Sequence, residues 1–237
     1  MSAASGVPSP QWLIHADEPS WASAAADACA EAMRQDLVHG HARLLLSGGS
    51  TPTPVYRALA CYGLDWSRVT LALVDERWVP PGDPDSNATL VRTTLLDGRA
   101  AAATLEPLLM PDRQLDEAVR HANQGMRPAS AAVLGMGPDG HTASLFPHAR
   151  GLRQALASRE DYVSVDAAGC AGAGAWPLRI SLTPHGLAKA RRRLLLVRGR
   201  AKRELLEQAL SGDDVEALPV RALFALPGEP LQIHWCP

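Results

Sequence analysis

No two of the four cysteines stand close enough to form a CxxC pair: Cys29, Cys61, Cys170 and Cys236 are far apart. That spacing supplies neither a structural zinc ligand set nor a redox dithiol, and free thiols in a reducing compartment are expected. Charge of one sign is lacking too. Lys and Arg number 23 against 25 Asp and Glu, a formal net charge of −2, so the chain as a whole offers no electrostatic footprint for nucleic acid or an anionic membrane. The densest basic cluster, residues 189–193 (KARRR), reads as a solvated helix end. No apolar run approaches the length of a bilayer span. Residues 1–10 lack the basic and apolar regions of a signal peptide. Internal repeats and domain-cutting linkers are missing as well. The expectation is a cytoplasmic protein with a frayed tail over residues 1–10 and one domain over residues 11–237, without nucleic-acid, membrane or obligate protein partners.

What is present is apolar sequence in short, punctuated runs, 46% of the chain in all. Residues 42–47 (ARLLLS), 69–74, 131–134 and 193–197 (RLLLV) read as buried strands. Residues 162–165 and 178–182 are further strand candidates, and residues 220–225 and 231–235 close the chain as two more. Helices are expected between them. Ser20 caps an Ala-rich helix reaching about Val38, Pro52 opens one reaching about Cys61, and Ser86 or Asn87 caps a third. Residues 112–126 and 201–210 are amphipathic. Residues 167–175 form a Gly/Ala-rich loop, expected to be mobile. Strands alternating with helices imply an α/β fold built on a mainly parallel sheet.

In open α/β sheets ligands bind beyond the carboxyl ends of the strands. Four polar clusters fall at such ends: Gly48-Gly49-Ser50-Thr51, Asp75-Glu76-Arg77, Asp139-Gly140-His141 and the basic run from Arg198 to Lys202. The glycine-rich turn leads into a helix N-terminus, where free N–H groups favour an anion. The Lys of a Walker A loop is missing, which points to a phosphate monoester instead of a nucleoside triphosphate. Residues 135–140 match GxGxxG, but Pro147 cuts the following helix short, and Glu160 and Asp161, the acids at about the right separation, precede the next candidate strand instead of ending one, so a dinucleotide site is rejected. No GxSxG elbow and no HExxH spacing occur, which leaves serine-nucleophile and zinc chemistry without support; Asp75, Glu76, His141 and His148 lack tight ligand spacing.

His141 is therefore the candidate general base, with Asp139 two residues before it to orient the ring and stabilise its charged form. Arg77, Arg179 and Lys202 are the candidate cations for an anionic ligand. Asn87 is a helix cap or a contact to a substrate hydroxyl, with Ser86 the better cap.

These residues, together with Ser47 to Pro52, Leu134 to Pro147 and Arg179-Ile180-Ser181-Leu182-Thr183, resemble the glucosamine-6-phosphate isomerase/6-phosphogluconolactonase family over residues 21–235. The resemblance implies a three-layer α/β/α, modified Rossmann-like fold. It implies hydrolysis of 6-phosphoglucono-δ-lactone, with a small sugar-phosphate lactone as the partner and neither a redox cofactor nor an essential metal. By the same likeness His141 takes a proton from the attacking water and Asp139 tunes it. Gly48, Gly49, Ser50, Thr51, Asp75, Arg77, Asn87, Arg179 and Lys202 would bind the substrate. Residues 170–176 depart from the family's pattern. Two alternatives are a glucosamine-6-phosphate deaminase and a sugar-phosphate-sensing domain. The deaminase pattern carries a further Glu after its DGH histidine, and residues 142–147 (TASLFP) supply none. A sensing domain would need a helix-turn-helix module beside the first helix, for which the segment before Ala42 has no room.

Overall fold

Uninterrupted aliphatic sequence sets the centre of the molecule. The computed structural model describes residues 8–237, so most of the tail expected over residues 1–10 lies outside the described residues. The chain runs through β1 (Gln11–Ile14), α1 (Glu18–Leu37), β2 (Ala42–Leu46), α2 (Thr53–Ala60), β3 (Val69–Leu73), β4 (Asp75–Arg77) and α3 (Asn87–Thr94). It continues through β5 (Thr104–Glu106), α4 (Leu115–Gly125), β6 (Ala129–Gly135), α5 (Leu152–Ala157), β7 (Tyr162–Asp166) and β8 (Leu178–Leu182). It ends with α6 (Pro184–Leu187), β9 (Ala190–Arg198), α7 (Arg200–Leu210) and β10 (Gln232–Cys236).

Among the described residues, seven strands form a parallel sheet in the order β1-β10-β9-β6-β2-β3-β5. Every residue of β2 and β3 is buried, as expected of strands covered on both faces. Helix α1 lies across β2, β6, β9 and β10 through a row of buried alanines, Ala22, Ala25, Ala26 and Ala30. From β2 the chain steps to β3 on one side, and from β6 to β9 on the other. That reversal opens a crevice at the carboxyl ends of β2 and β6. No helix among the described residues is long and apolar enough to cross a membrane.

Four expectations are corrected. Asp75-Glu76-Arg77 is not a strand-end turn but strand β4, the edge of a separate antiparallel sheet, β4-β8-β7. Residues 220–225 are not a strand: Pro219 to Ala225 form a 3₁₀ helix. The cap of α1 is Asp17, whose carboxylate accepts from Ser20 N at 2.9 Å, while Ser20 completes the capping box from inside the helix. The basic cluster at residues 189–193 is no solvated helix end. Lys189 does follow the short helix α6, but its ammonium pairs with Asp161 at 2.7 Å. The arginines belong to β9: Arg191 pairs with Asp36, Arg192 with Glu229, and Arg193 is buried with Nη2 donating to Glu229 O at 2.6 Å. Strands β1 and β5 and helix α5 were not anticipated.

Candidate active site

The glycine-rich turn after β2 is held from below. Tyr56, on α2, donates its hydroxyl to Ser47 O at 2.7 Å, and α2 starts without a side-chain cap. Pro54 has no N–H, so Thr53 and Val55 carry the first-turn N–H groups left for an anion. Gly48 packs against Asn87 so closely that a Cβ would lie 1.7 Å from Asn87 Oδ1. Only glycine lets this turn and the start of α3 meet.

Strand β4 brings charge to the same place. Its antiparallel register sets Arg77 opposite Arg179 of β8, and like charges directly opposite on a sheet repel. Arg77 Nη1 donates to Asn87 Oδ1 and to Asp85 O, each at 2.8 Å. Asn87 Nδ2 donates to Asp75 O at 2.7 Å, and Asp75 Oδ2 accepts from Ser144 Oγ at 2.6 Å. Arg179 is nearly covered. Its Nε donates to Trp176 O at 2.6 Å and its Nη2 to Ala173 O at 2.5 Å. Burial, together with the charge of Arg77, lowers its pKa against the pull of Asp75 and Glu76. Two donors of Arg179 thus hold the 170–176 segment in place.

The third cluster forms a tight turn after β6, closed by Gly137 N donating to His141 O at 2.9 Å. His141 Nδ1 lies 2.5 Å from Asp139 Oδ1. Burial pushes the Asp139 carboxyl up, but the hydrogen bond and charge of His141 outweigh it and leave the pKa below the usual value. Asp139 is therefore ionised and can only accept, so Nδ1 carries a proton, and in the neutral imidazole the lone pair is the one on Nε2. The pair is sandwiched between two glycines. A Cβ on Gly137 would lie 2.2 Å from His141 Nδ1, and one on Gly172 would lie 2.8 Å from Asp139 Oδ2. Phe146 packs against the imidazole at 4.3 Å between ring centroids.

These parts surround one cavity of about 230 Å³. Gly48, Gly49, Ser50 and Thr51 line it from the turn after β2; Asp75, Arg77 and Asn87 from β4 and α3; Arg179 from β8; Lys202 from the first turn of α7; and His141 from the turn after β6. Asp139 is not on the wall and sits behind His141. Lys202 lies on the wall without a carboxylate partner among the described residues, and burial, aided by Arg198, lowers its pKa. Arg198 itself turns away, pairing with Glu18 and lying over Trp21.

Four groups at the site were not singled out from sequence. Ser47 lines the cavity with a buried Oγ that has no hydrogen-bond partner among the described residues. Gly172 is a tertiary neighbour of the Asp139–His141 pair from a segment that no motif marks. Phe146 and Ser144 stand inside the long motif, but local spacing gives no sign of their contacts. Glu76 is not available for metal coordination, because both carboxylate oxygens accept hydrogen bonds from the start of α3.

Comparison with known proteins agrees with this architecture. The sequence matches the family described as glucosamine-6-phosphate isomerases/6-phosphogluconolactonase over residues 16–235. It is 48% identical over 229 residues to a 6-phosphogluconolactonase of Xylella fastidiosa, covering 94% of this chain and 95% of that one. It is 40% identical over 227 residues to a 6-phosphogluconolactonase of Pseudomonas putida, covering 94% and 91%. Among solved structures, a 6-phosphogluconolactonase from Shewanella baltica superposes with a TM-score of 0.87 at 32% identity, covering 98% of this chain and 99% of that one. The chain belongs to the glucosamine-6-phosphate isomerase/6-phosphogluconolactonase family.

Proposed function

We propose that this protein hydrolyses 6-phosphoglucono-δ-lactone to 6-phosphogluconate, the lactone-opening step of the oxidative pentose phosphate pathway, in the cytoplasm. The observation that carries the reading is the meeting of an oriented Asp139–His141 pair with Arg77, Arg179 and Lys202 around one cavity. Phosphate is the group that matches the cations and the uncapped start of α2. A lactone is an activated ester, so a base and a water suffice without a covalent nucleophile.

His141 Nε2 takes a proton from water as its oxygen attacks the lactone carbonyl. Asp139 stabilises the imidazolium that results. The carbonyl oxygen becomes an oxyanion, for which the glycine-rich turn or a nearby cation provides the donor. The tetrahedral species collapses, the bond to the ring oxygen breaks, and the imidazolium returns the proton to that oxygen as it becomes a hydroxyl. Phosphate contacts far from the carbonyl anchor the substrate with its reacting centre beside His141.

The sister activity, deamination of glucosamine-6-phosphate, is disfavoured by the lack of a carboxylate in residues 142–147. The curated relatives at 48% and 40% identity also carry the lactonase name. The test is the rate of loss of freshly generated 6-phosphogluconolactone, followed as acid release. Purified protein is expected to exceed the spontaneous rate by orders of magnitude and to release no ammonia from glucosamine-6-phosphate. A lactone rate equal to the buffer blank would sink the reading; ammonia release would transfer it to the deaminase.

A further inference from the structure

Glu76 is completely buried, and its carboxylate is held by four neutral donors. Oε1 accepts from Arg77 N at 2.8 Å and from Asn87 N at 2.7 Å. Oε2 accepts from Ala88 N at 2.9 Å and from Ser86 Oγ at 2.8 Å. Burial pushes its carboxyl up, and the four donors oppose that. A buried charge without a salt bridge among the described residues is an expensive way to stabilise a fold, since apolar packing serves as well. What the carboxylate does that an apolar side chain cannot is join two backbones at fixed geometry. One oxygen links β4 to α3 directly, and the other grips the first turn of α3.

The residues joined are those that shape the cation side of the cavity. Asn87 Oδ1 receives Arg77 Nη1, Asn87 Nδ2 reaches Asp75 O, and the same amide lies against Gly48. The carboxylate itself does not line the cavity. We propose that Glu76 is a positioning residue for the phosphorylated substrate: by clamping the start of α3 to β4 it fixes the Asn87 amide, which aims the Arg77 guanidinium into the cavity. This rests on the sugar-phosphate lactonase reading above.

Glu76→Gln tests it, because the amide keeps the shape but turns one acceptor into a donor that faces backbone N–H groups. Steady-state kinetics on 6-phosphogluconolactone are measured for wild type, E76Q, Arg77→Ala and the double variant. E76Q is expected to raise KM by about tenfold while kcat stays within about threefold. In the R77A background the same change is expected to alter kcat/KM by less than about twofold, because Glu76 acts through Arg77. A KM unchanged in E76Q, or effects that multiply in the double variant, overturns the proposal. Should E76Q fail to fold, Ser86→Ala removes one of the four donors. It is expected to raise KM about two- to fivefold, and an unchanged KM there overturns the proposal equally. Wild-type protein that does not open the lactone overturns the lactonase reading instead, so the two failures are distinct.

Discussion

A methyl group on Gly48 would sit 1.7 Å from Asn87 Oδ1, inside the carbonyl's own volume. Gly48→Ala is therefore expected to drive the Asn87 amide away from Arg77 and Asp75. Overpacking of this kind costs about 1–3 kcal/mol of stability. It should also raise KM for the phosphorylated lactone by roughly tenfold, about 1.4 kcal/mol of binding. Chemical denaturation and steady-state kinetics check the two effects, and an unchanged KM would show that Asn87 does not organise the anion side. The sequence marks Gly48 as a turn residue but not why it must be glycine, because the partner comes from a distant segment. Gly172 poses the same problem. Its neighbours Asp139 and His141 are conspicuous in the sequence, yet the Gly/Ala-rich segment that covers them reads only as a loop. His141 and Asp139, by contrast, are legible, since their separation of two residues on a glycine turn already dictates that the side chains can meet.

Elements were readable where one physical signal dominated. Strands β2 and β3 are mostly aliphatic (ARLLL and VTLAL) and β7 and β8 are short runs of apolar and β-branched residues broken by single polar ones (YVSVD and LRISL), and all four form where that pattern places them. Strand β4 was hidden because its three residues are all charged. It exists because Glu76 finds donors on α3 and because Arg77 pairs in register with β8. The run at 219–225 has the apolar content of a strand. Pro219 supplies no N–H, however, and Arg221 donates to Ala209 O, Asp214 O and Gln208 O. Those bonds fold the run back as a 3₁₀ turn against the end of α7. At the head of α1, Pro19 needs no donor in the first turn, so the helix starts before it and the cap moves from Ser20 to Asp17. In β9 the leading arginines look solvated by composition alone. Only the tertiary fold brings Asp36 and Glu229 to them.

At the scale of the molecule, a parallel sheet whose chain path reverses between β2 and β6 gathers loops from across the sequence at one edge. That is why clusters spread from Gly48 to Lys202 surround a single cavity. Outside the cavity lining, β10 buries His234, whose two ring nitrogens have no hydrogen-bond partner among the described residues and whose ring stacks on His15. Burial, and then the charge of His15, holds the His234 pKa down at about 4, against 6.5 for a free side chain. The unfolded chain therefore binds a proton on acidification that the folded chain resists. The sign follows: the unfolded state holds more protons between these values, so stability rises with pH and is lost as pH falls from 6.5 toward about 4. The contribution is about 3 kcal/mol across the window. Urea denaturation of wild type and His234→Gln from pH 7 to pH 4 should show a shallower acid loss in the variant. Parallel pH profiles would refute the assignment.

In the proposed mechanism His141, held by Asp139, activates the water that opens the lactone. This role is tested most directly by the turnover of freshly generated 6-phosphogluconolactone by His141→Gln, with circular dichroism and melting temperature confirming the fold. The expected result is a fall in kcat of roughly 10²–10⁴-fold. A folded variant that keeps kcat within a few-fold of wild type would contradict it.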